Sequence, residues 1–154
     1  MSLLYYEDFV VGEVEEYGDR LVTAEEIIAF AKKYDPQPFH VDAEAAKNSQ
    51  AGGLIASGWH TGVILMRMNC DEFVLRTASE GAPGSDEVSW LKPVRPGDRL
   101  RVRRTILSAR PSRSRPTLGL VEFLCEVLNQ NGEIVLRQRN SSFLRRRPDE
   151  AAAP

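Results

Sequence analysis

The stretch Tyr34-Asp35-Pro36-Gln37-Pro38-Phe39-His40-Val41-Asp42, followed by Gly52-Gly53-Leu54-Ile55-Ala56-Ser57-Gly58-Trp59, is the most informative part of this chain of 154 residues. It sets an acid, an imidazole and a glycine-led helix start close together. Just upstream, Ile27, Phe30 and Ala31 recur at helical spacing, and Pro36 pushes Asp35 out of the right-handed helical region. A helix therefore stops at about Tyr34 and Asp35 begins the loop. The same helix starts at Thr23-Ala24-Glu25-Glu26, a capping box in which the Thr23 hydroxyl accepts from the Glu26 amide while Glu26 reaches back.

Downstream of the stretch, Asp42 caps a short helix over Ala43-Glu44-Ala45-Ala46-Lys47, and Gly52-Gly53 then breaks the chain. From Ser57 or Gly58 to about Arg76 the residues Trp59, Val63, Ile64, Leu65, Met66, Met68, Cys70, Phe73, Val74 and Leu75 are apolar on nearly every side. A helix of that character in a soluble protein is predicted to be enclosed by other elements, with Met66 and Met68 as core filler.

The remaining chain is strand-like. Gly12 to Tyr17 suits an edge strand, and Val88, Trp90, Val94, Leu100 and Val102 alternate with polar residues around a turn at Pro96-Gly97-Asp98. Leu118 to Leu128 and Glu133 to Leu144 are long strands joined at Asn131-Gly132, a strong hairpin signal. Arg110 to Pro116 reads as a basic loop. Three to five antiparallel strands wrapped around one buried helix is the economical α+β arrangement. The expectation is a single domain over residues 1–147, with 148–154 predicted as a flexible C-terminal tail.

Composition narrows the function classes. Hydrophobic residues make up 42% and charged residues 27%, which is globular, and the formal charge of -2 argues against nucleic-acid binding. Arg99, Arg101, Arg103 and Arg104, and Arg145 to Arg147, read as solvated faces. No signal core or run of about 20 apolar residues is present, so the expected compartment is the cytoplasm, with no membrane partner. Cys70 and Cys125 sit among apolar neighbours at unrelated spacing, which predicts neither a disulfide nor a metal site.

The chemistry-bearing residues are Asp35, His40 and Gly58. A carboxylate and an imidazole can share a water, one accepting its proton and the other delivering a proton to carbon. Fully extended, the five steps from Asp35 to His40 would separate their backbones by about 16 Å, so the segment must turn, and Pro36 with Pro38 suggests a fixed, non-helical turn. Gly58 lets a ligand approach the amides that open the helix, where developing negative charge on a thioester oxygen is stabilised. The two side chains also have plainer structural readings: Asp35 as a turn residue and His40 as a satisfied internal side chain. Ser57 lacks the Gly-x-Ser-x-Gly elbow of a nucleophile and reads as an N-cap, and His60, one turn into the helix, is an alternative base.

The pattern Asp-x-x-Pro-x-His-x-Asp at Asp35 to Asp42, with Gly58 opening an apolar helix eighteen residues after His40, resembles the MaoC-like dehydratases and (R)-specific enoyl-CoA hydratases. Lys92-Pro93-Val94-Arg95-Pro96-Gly97-Asp98 resembles the same family's strand-turn signature, and the likeness covers about residues 8 to 146. The resemblance implies the hot-dog fold, a curved antiparallel sheet wrapped around a long central helix, and a homodimer. It also implies that Asp35 and His40 activate water and that the Gly58 amide holds the thioester oxygen. Phe39, Ser57 and Trp59 would then lie along the substrate. The substrate would be an acyl-CoA or acyl-carrier-protein thioester, and the reaction would need no metal or redox cofactor.

This chain departs from the family in having Gln37 where many relatives have Asn, Ser57 where most have His, and Phe39 where an aliphatic residue is usual. These positions bear on acyl preference. Two rival functions remain on the same scaffold: a hot-dog thioesterase, which would release free thiol, and a non-catalytic acyl-binding partner subunit, which would not need the Asp-His pair.

Overall fold

The computed structural model describes residues 2–151. A first strand, β1 (Val14–Leu21), leads into α1 (Ala24–Tyr34), two single-turn helices, α2 (Pro38–Val41) and α3 (Ala43–Ala46), and the long helix α4 (Gly58–Glu72). Then come β2 (Gly84–Trp90), β3 (Arg99–Pro111), β4 (Leu118–Leu128) and β5 (Ile134–Arg145). The strands form one antiparallel sheet in the order β1-β3-β4-β5-β2, so β1 and β2 are its edges. This is the hot-dog fold, with α4 packed against the concave face.

Local chemistry explains most boundaries. The Thr23 capping box forms in both directions, and the chain leaves the helical region at Asp35 (φ -152°, ψ 70°), as Pro36 requires. Asp42 caps α3 by accepting from the Glu44 and Ala45 amides. At the β4–β5 hairpin, Asn129 Oδ1 accepts from the amides of Asn131 and Glu133, and Gly132 takes the positive φ of 74°. Inward positions alternate along β3 and β4, where Leu100, Val102, Ile106, Val121, Phe123, Cys125 and Val127 are buried against Ile64, Leu65 and Met68 of α4.

Several expectations change. The segment between Asp35 and His40 is not a non-helical turn, because Pro38 occupies the first position of α2, where its fixed φ suits a helix and its missing N–H costs nothing. The central helix ends at Glu72 and tightens into a 3-10 turn over Val74–Arg76. β3 runs through Pro111, taking up the start of the predicted basic loop. Pro148–Ala151, read as tail, forms one helical turn, and residues 152–154 lie outside the described part.

Nor is α4 enclosed on all sides. The sheet covers the face carrying Ile64, Leu65 and Met68, whereas Trp59, Val63 and Met66 remain 63%, 51% and 51% exposed. Met66 is therefore not core filler: positions 59, 63 and 66 share the helix face turned away from the sheet. Arg104 is not on a solvated face either. It occupies an inward position of β3, only 4% exposed, paired with Glu15 at 2.9 Å and stacked 4.2 Å from the Phe73 ring centre. The other arginines of that run keep exposed or half-buried ion pairs and hydrogen bonds, Arg99 with Asp19 and Arg103 with Glu126. Among the described residues no helix is long and apolar enough to cross a membrane, and no group of three His, Cys, Asp or Glu could hold a metal ion.

Candidate active site

The site is built where the end of α1, the α2 turn and the start of α4 meet. The Asp35 amide donates to the Ala31 carbonyl, and the His40 amide donates to the Gln37 carbonyl, so the chain folds back after one residue pair. This coil brings His40 Nε2 to 3.3 Å from Asp35 Oδ2. The segment before α4 is tethered on two sides, the Ile55 amide donating to the Phe39 carbonyl and the Ala56 amide to the Val94 carbonyl. That tether places Ile55 and Ser57 against the pair.

Each member of the pair is held by specific partners. His40 Nδ1 lies 2.7 Å from the Ile55 carbonyl, which can only accept, so Nδ1 carries the proton of the neutral ring. Nε2 of that tautomer carries the free lone pair, and it faces Asp35. The carboxylate accepts from Ser57 Oγ at 2.7 Å and from Gln37 Nε2 at 2.8 Å. The Ser57 hydrogen bond first, then that of Gln37, hold the Asp35 carboxyl below its usual range against the opposing effect of desolvation, and His40, when protonated, adds to the lowering.

Asp35, Gln37, His40, Gly58, Trp59 and Trp90 border one cleft of about 400 Å³. The amide of Gly58, at the first position of α4, is among those with no intrahelical acceptor, and Ser57 contributes no side-chain capping bond. The cleft thus combines a carboxylate, an imidazole whose Nε2 faces it and a helix N-terminus, a set suited to adding or removing water beside an activated carbonyl. The family description "MaoC like domain" matches residues 10–119. The chain belongs to the MaoC-like domain family.

Two relatives match over more than nine-tenths of this chain, and a third over under half. A MaoC-like dehydratase of Rhodospirillum rubrum superimposes with a TM-score of 0.85 and 42% identity, over 94% of this chain and 99% of that one. The uncharacterized protein YdeM of Bacillus subtilis is 29% identical over 140 residues, 91% of this chain and 98% of YdeM. Mesaconyl-CoA hydratase of Cereibacter sphaeroides is 39% identical over 71 residues, which is 46% of this chain but only 20% of that enzyme.

Within this MaoC-like site the remaining sequence candidates fall in different places. Trp59 stands at the cleft, edge-on to Trp90 at 5.1 Å. Phe39 borders a neighbouring cleft of about 360 Å³ that shares Ile55 and Pro93 with the first. Ser57 is fully buried and does not border the cleft, so its hydroxyl serves Asp35 rather than capping α4 or meeting substrate. His60 does not border this cleft. It is buried and stacked on Phe30 at 4.7 Å, and burial pushes its pKa down.

Two contributors escaped sequence reading. Gln37 was noted only as a departure from Asn, although a donor two residues from an acid is a usable signal for a side-chain hydrogen bond. Trp90 was read as part of an alternating strand, yet it is 45% exposed and packs onto Gly58, where an added Cβ would come within 2.5 Å of its indole ring. No local pattern announces that contact, because it joins β2 to α4.

Proposed function

We propose that this protein is a hydratase or dehydratase that adds water to trans-2-enoyl thioesters of CoA or acyl carrier protein, giving (3R)-hydroxyacyl thioesters, and catalyses the reverse. The observation that carries the reading is the 3.3 Å approach of His40 Nε2 to Asp35 Oδ2 at the cleft that Gly58 also borders. In the hydration direction a water held between the two attacks C3, its proton passing to the Asp35 carboxylate. His40, doubly protonated at the start of this direction, delivers its Nε2 proton to C2 and is left neutral with the Nδ1 proton, and the Gly58 amide stabilises the enolate oxygen formed in between. Return of the proton from Asp35 to His40 through the next water restores both groups. The partial match to a hydratase acting on a CoA thioester supports the same reaction class.

The working unit is a homodimer. The exposed stripe Trp59, Val63 and Met66 lies beside exposed Trp90 and Leu91 and the unpaired edge of β2, an apolar patch and strand edge of the kind a second copy covers. The test of function is a panel of enoyl-CoA and 3-hydroxyacyl-CoA esters, with loss or gain of the conjugated double bond and release of thiol followed in parallel. Change in conjugation without thiol supports the hydratase. Thiol release without that change would replace it with a thioesterase, and no reaction together with copurification of a second hot-dog chain would favour a partner subunit.

A further inference from the structure

The turn Lys92-Pro93-Val94-Arg95-Pro96-Gly97-Asp98 takes no part in the proton transfers, yet its backbone is closely fixed. The Asp98 carboxylate accepts from the Arg95 amide at 2.9 Å, Gly97 takes a φ of 90°, and Val22 bonds the turn through both its amide and its carbonyl. Arg95 is presented from that frame. Its Nη2 donates to the Ala51 carbonyl at 2.6 Å, and its guanidinium lies along Gly53, where an added Cβ would meet Nη1 at 3.5 Å. Arg99, four residues on, is paired with Asp19, whereas the exposed Arg95 has no carboxylate partner among the described residues. A guanidinium has donors for a bidentate anion, and one carbonyl does not use them up.

This cation stands at the cleft of about 360 Å³ that adjoins the catalytic one. Its partner Ala51 borders that cleft with Phe39, Ser49 and Gln50, while Ile55 and Pro93 border both clefts. The join is short. The Ala56 amide donates to the Val94 carbonyl at 2.8 Å, so the residue before Arg95 lies beside a residue only two before Gly58, a span of about 7 Å at full extension. Phe39 stands edge-on to the His40 ring at 4.5 Å, so a wall of the second cleft backs onto the catalytic imidazole. Among the described residues no carboxylate borders this second cleft, and an anion entering it meets no like charge there.

The arm of an acyl thioester has matching chemistry. From the sulfur outward, pantetheine presents amides, then a branched dimethyl carbon, then a phosphate. Gln50 can bond an amide, and the Ser49 hydroxyl, which donates to the Ala46 carbonyl, can still accept from one. Phe39, Ile55 and Pro93 offer apolar surface to the methyl groups, and Arg95 offers the fork that phosphate fits. We propose that the second cleft holds the phosphopantetheine arm of the thioester and that Arg95 binds its phosphate. CoA and an acyl carrier protein present the same phosphate. This rests on the reading of the first cleft as an enoyl-thioester hydratase site.

The test uses the full chain and trans-2-butenoyl thioesters of pantetheine, 4′-phosphopantetheine, CoA and an acyl carrier protein. The expected wild-type kcat/KM is at least about tenfold higher for the phosphopantetheine ester than for the pantetheine ester. In Arg95→Gln that gap closes through KM with kcat retained, while the pantetheine ester keeps its wild-type rate. Equal rates for the two esters in wild type overturn the proposal, as does a variant that lowers both alike, which would make Arg95 a support for the Ala51 loop. Whichever of CoA and carrier protein is the better substrate identifies the source of the phosphate, and that substrate must also lose at least about tenfold in Arg95→Gln. Arg95→Ala replaces this variant if it does not fold.

Calorimetry with the saturated butanoyl esters separates this proposal from the one beneath it. If no enoyl ester is turned over, the hydratase reading fails. Tighter binding of the phosphopantetheine ester than of the pantetheine ester, lost in Arg95→Gln, then still supports the subsite, whereas no binding, or binding that the substitution leaves unchanged, rejects it.

Discussion

Asp35→Asn separates the chemistry of the carboxylate from its place in the structure. Its oxygens accept from Ser57 Oγ and Gln37 Nε2, and an amide of the same shape can keep both contacts. The Asn oxygen would receive Gln37, and its NH2 would donate to Ser57, whose hydroxyl turns from donor to acceptor. Because Ser57 is fully buried, its own proton is then left without an acceptor, a cost of about 1–3 kcal/mol. At this chain length each kcal/mol lowers Tm by about 2–4 °C.

The kinetic effect is of another size. An amide cannot take the proton of water, and losing a positioned base lowers the rate by about 10²–10⁴-fold, which is about 2.7–5.4 kcal/mol in the barrier. The expected outcome is a protein that still unfolds cooperatively, with Tm lowered by about 2–12 °C, and hydration of a short trans-2-enoyl-CoA reduced at least about 100-fold. Hydration rates and a thermal melt on the same preparation decide it. A kcat/KM within about tenfold of wild type would falsify the base assignment, and a collapsed melt would make Asp35 a structural residue instead.

The remaining predictions concern the groups around the pair. Ser57→Ala removes the strongest influence holding the Asp35 carboxyl below its ordinary value of 3.8, so that pKa rises and the acid limb of the kcat/KM profile moves to higher pH, whereas Ser57→Thr leaves the limb in place. The same depressed carboxyl stabilises the fold above its unfolded value, and that contribution disappears as pH falls through the folded one. The melting difference between wild type and Ser57→Ala should therefore shrink in acid, and a pH-independent difference would remove this account. Gly58→Ala forces the Trp90 indole aside; if the helix amide needs open approach, Gly58→Ala/Trp90→Ala stays at least about tenfold below the Trp90→Ala single variant, and equal rates for those two would reduce Gly58 to a packing residue. Val63→Glu places a charge in the exposed apolar stripe and should shift sedimentation from dimer to monomer, an expectation that a monomeric wild type would end.

The limits of what the chain reveals locally are visible in particular residues. Thr23 with Glu26, Pro36 after Tyr34, Asp42 before Ala43 and Asn131-Gly132 all act within a few positions, and each formed the cap, stop or turn read for it. Gln37 acts at the same range, and its bond to Asp35 could have been anticipated. Ser57 could not: its partner is 22 positions away, and the routine behaviour of serine before a helix pointed to a cap that the structure does not contain.

What the amino-acid sequence determined by itself was therefore the order of the main helices and strands, the family pattern and the presence of an acid, an imidazole and a helix-opening glycine. These depend on backbone preferences and short-range hydrogen bonds that any fold would have to respect. Only the tertiary structure decided which side of α4 the sheet covers, why Met66 is open while Arg104 is buried among rings, and which groups bind Asp35. Those outcomes depend on contacts between residues far apart in the chain, whose proximity is a property of the assembled sheet and helix and not of any local pattern.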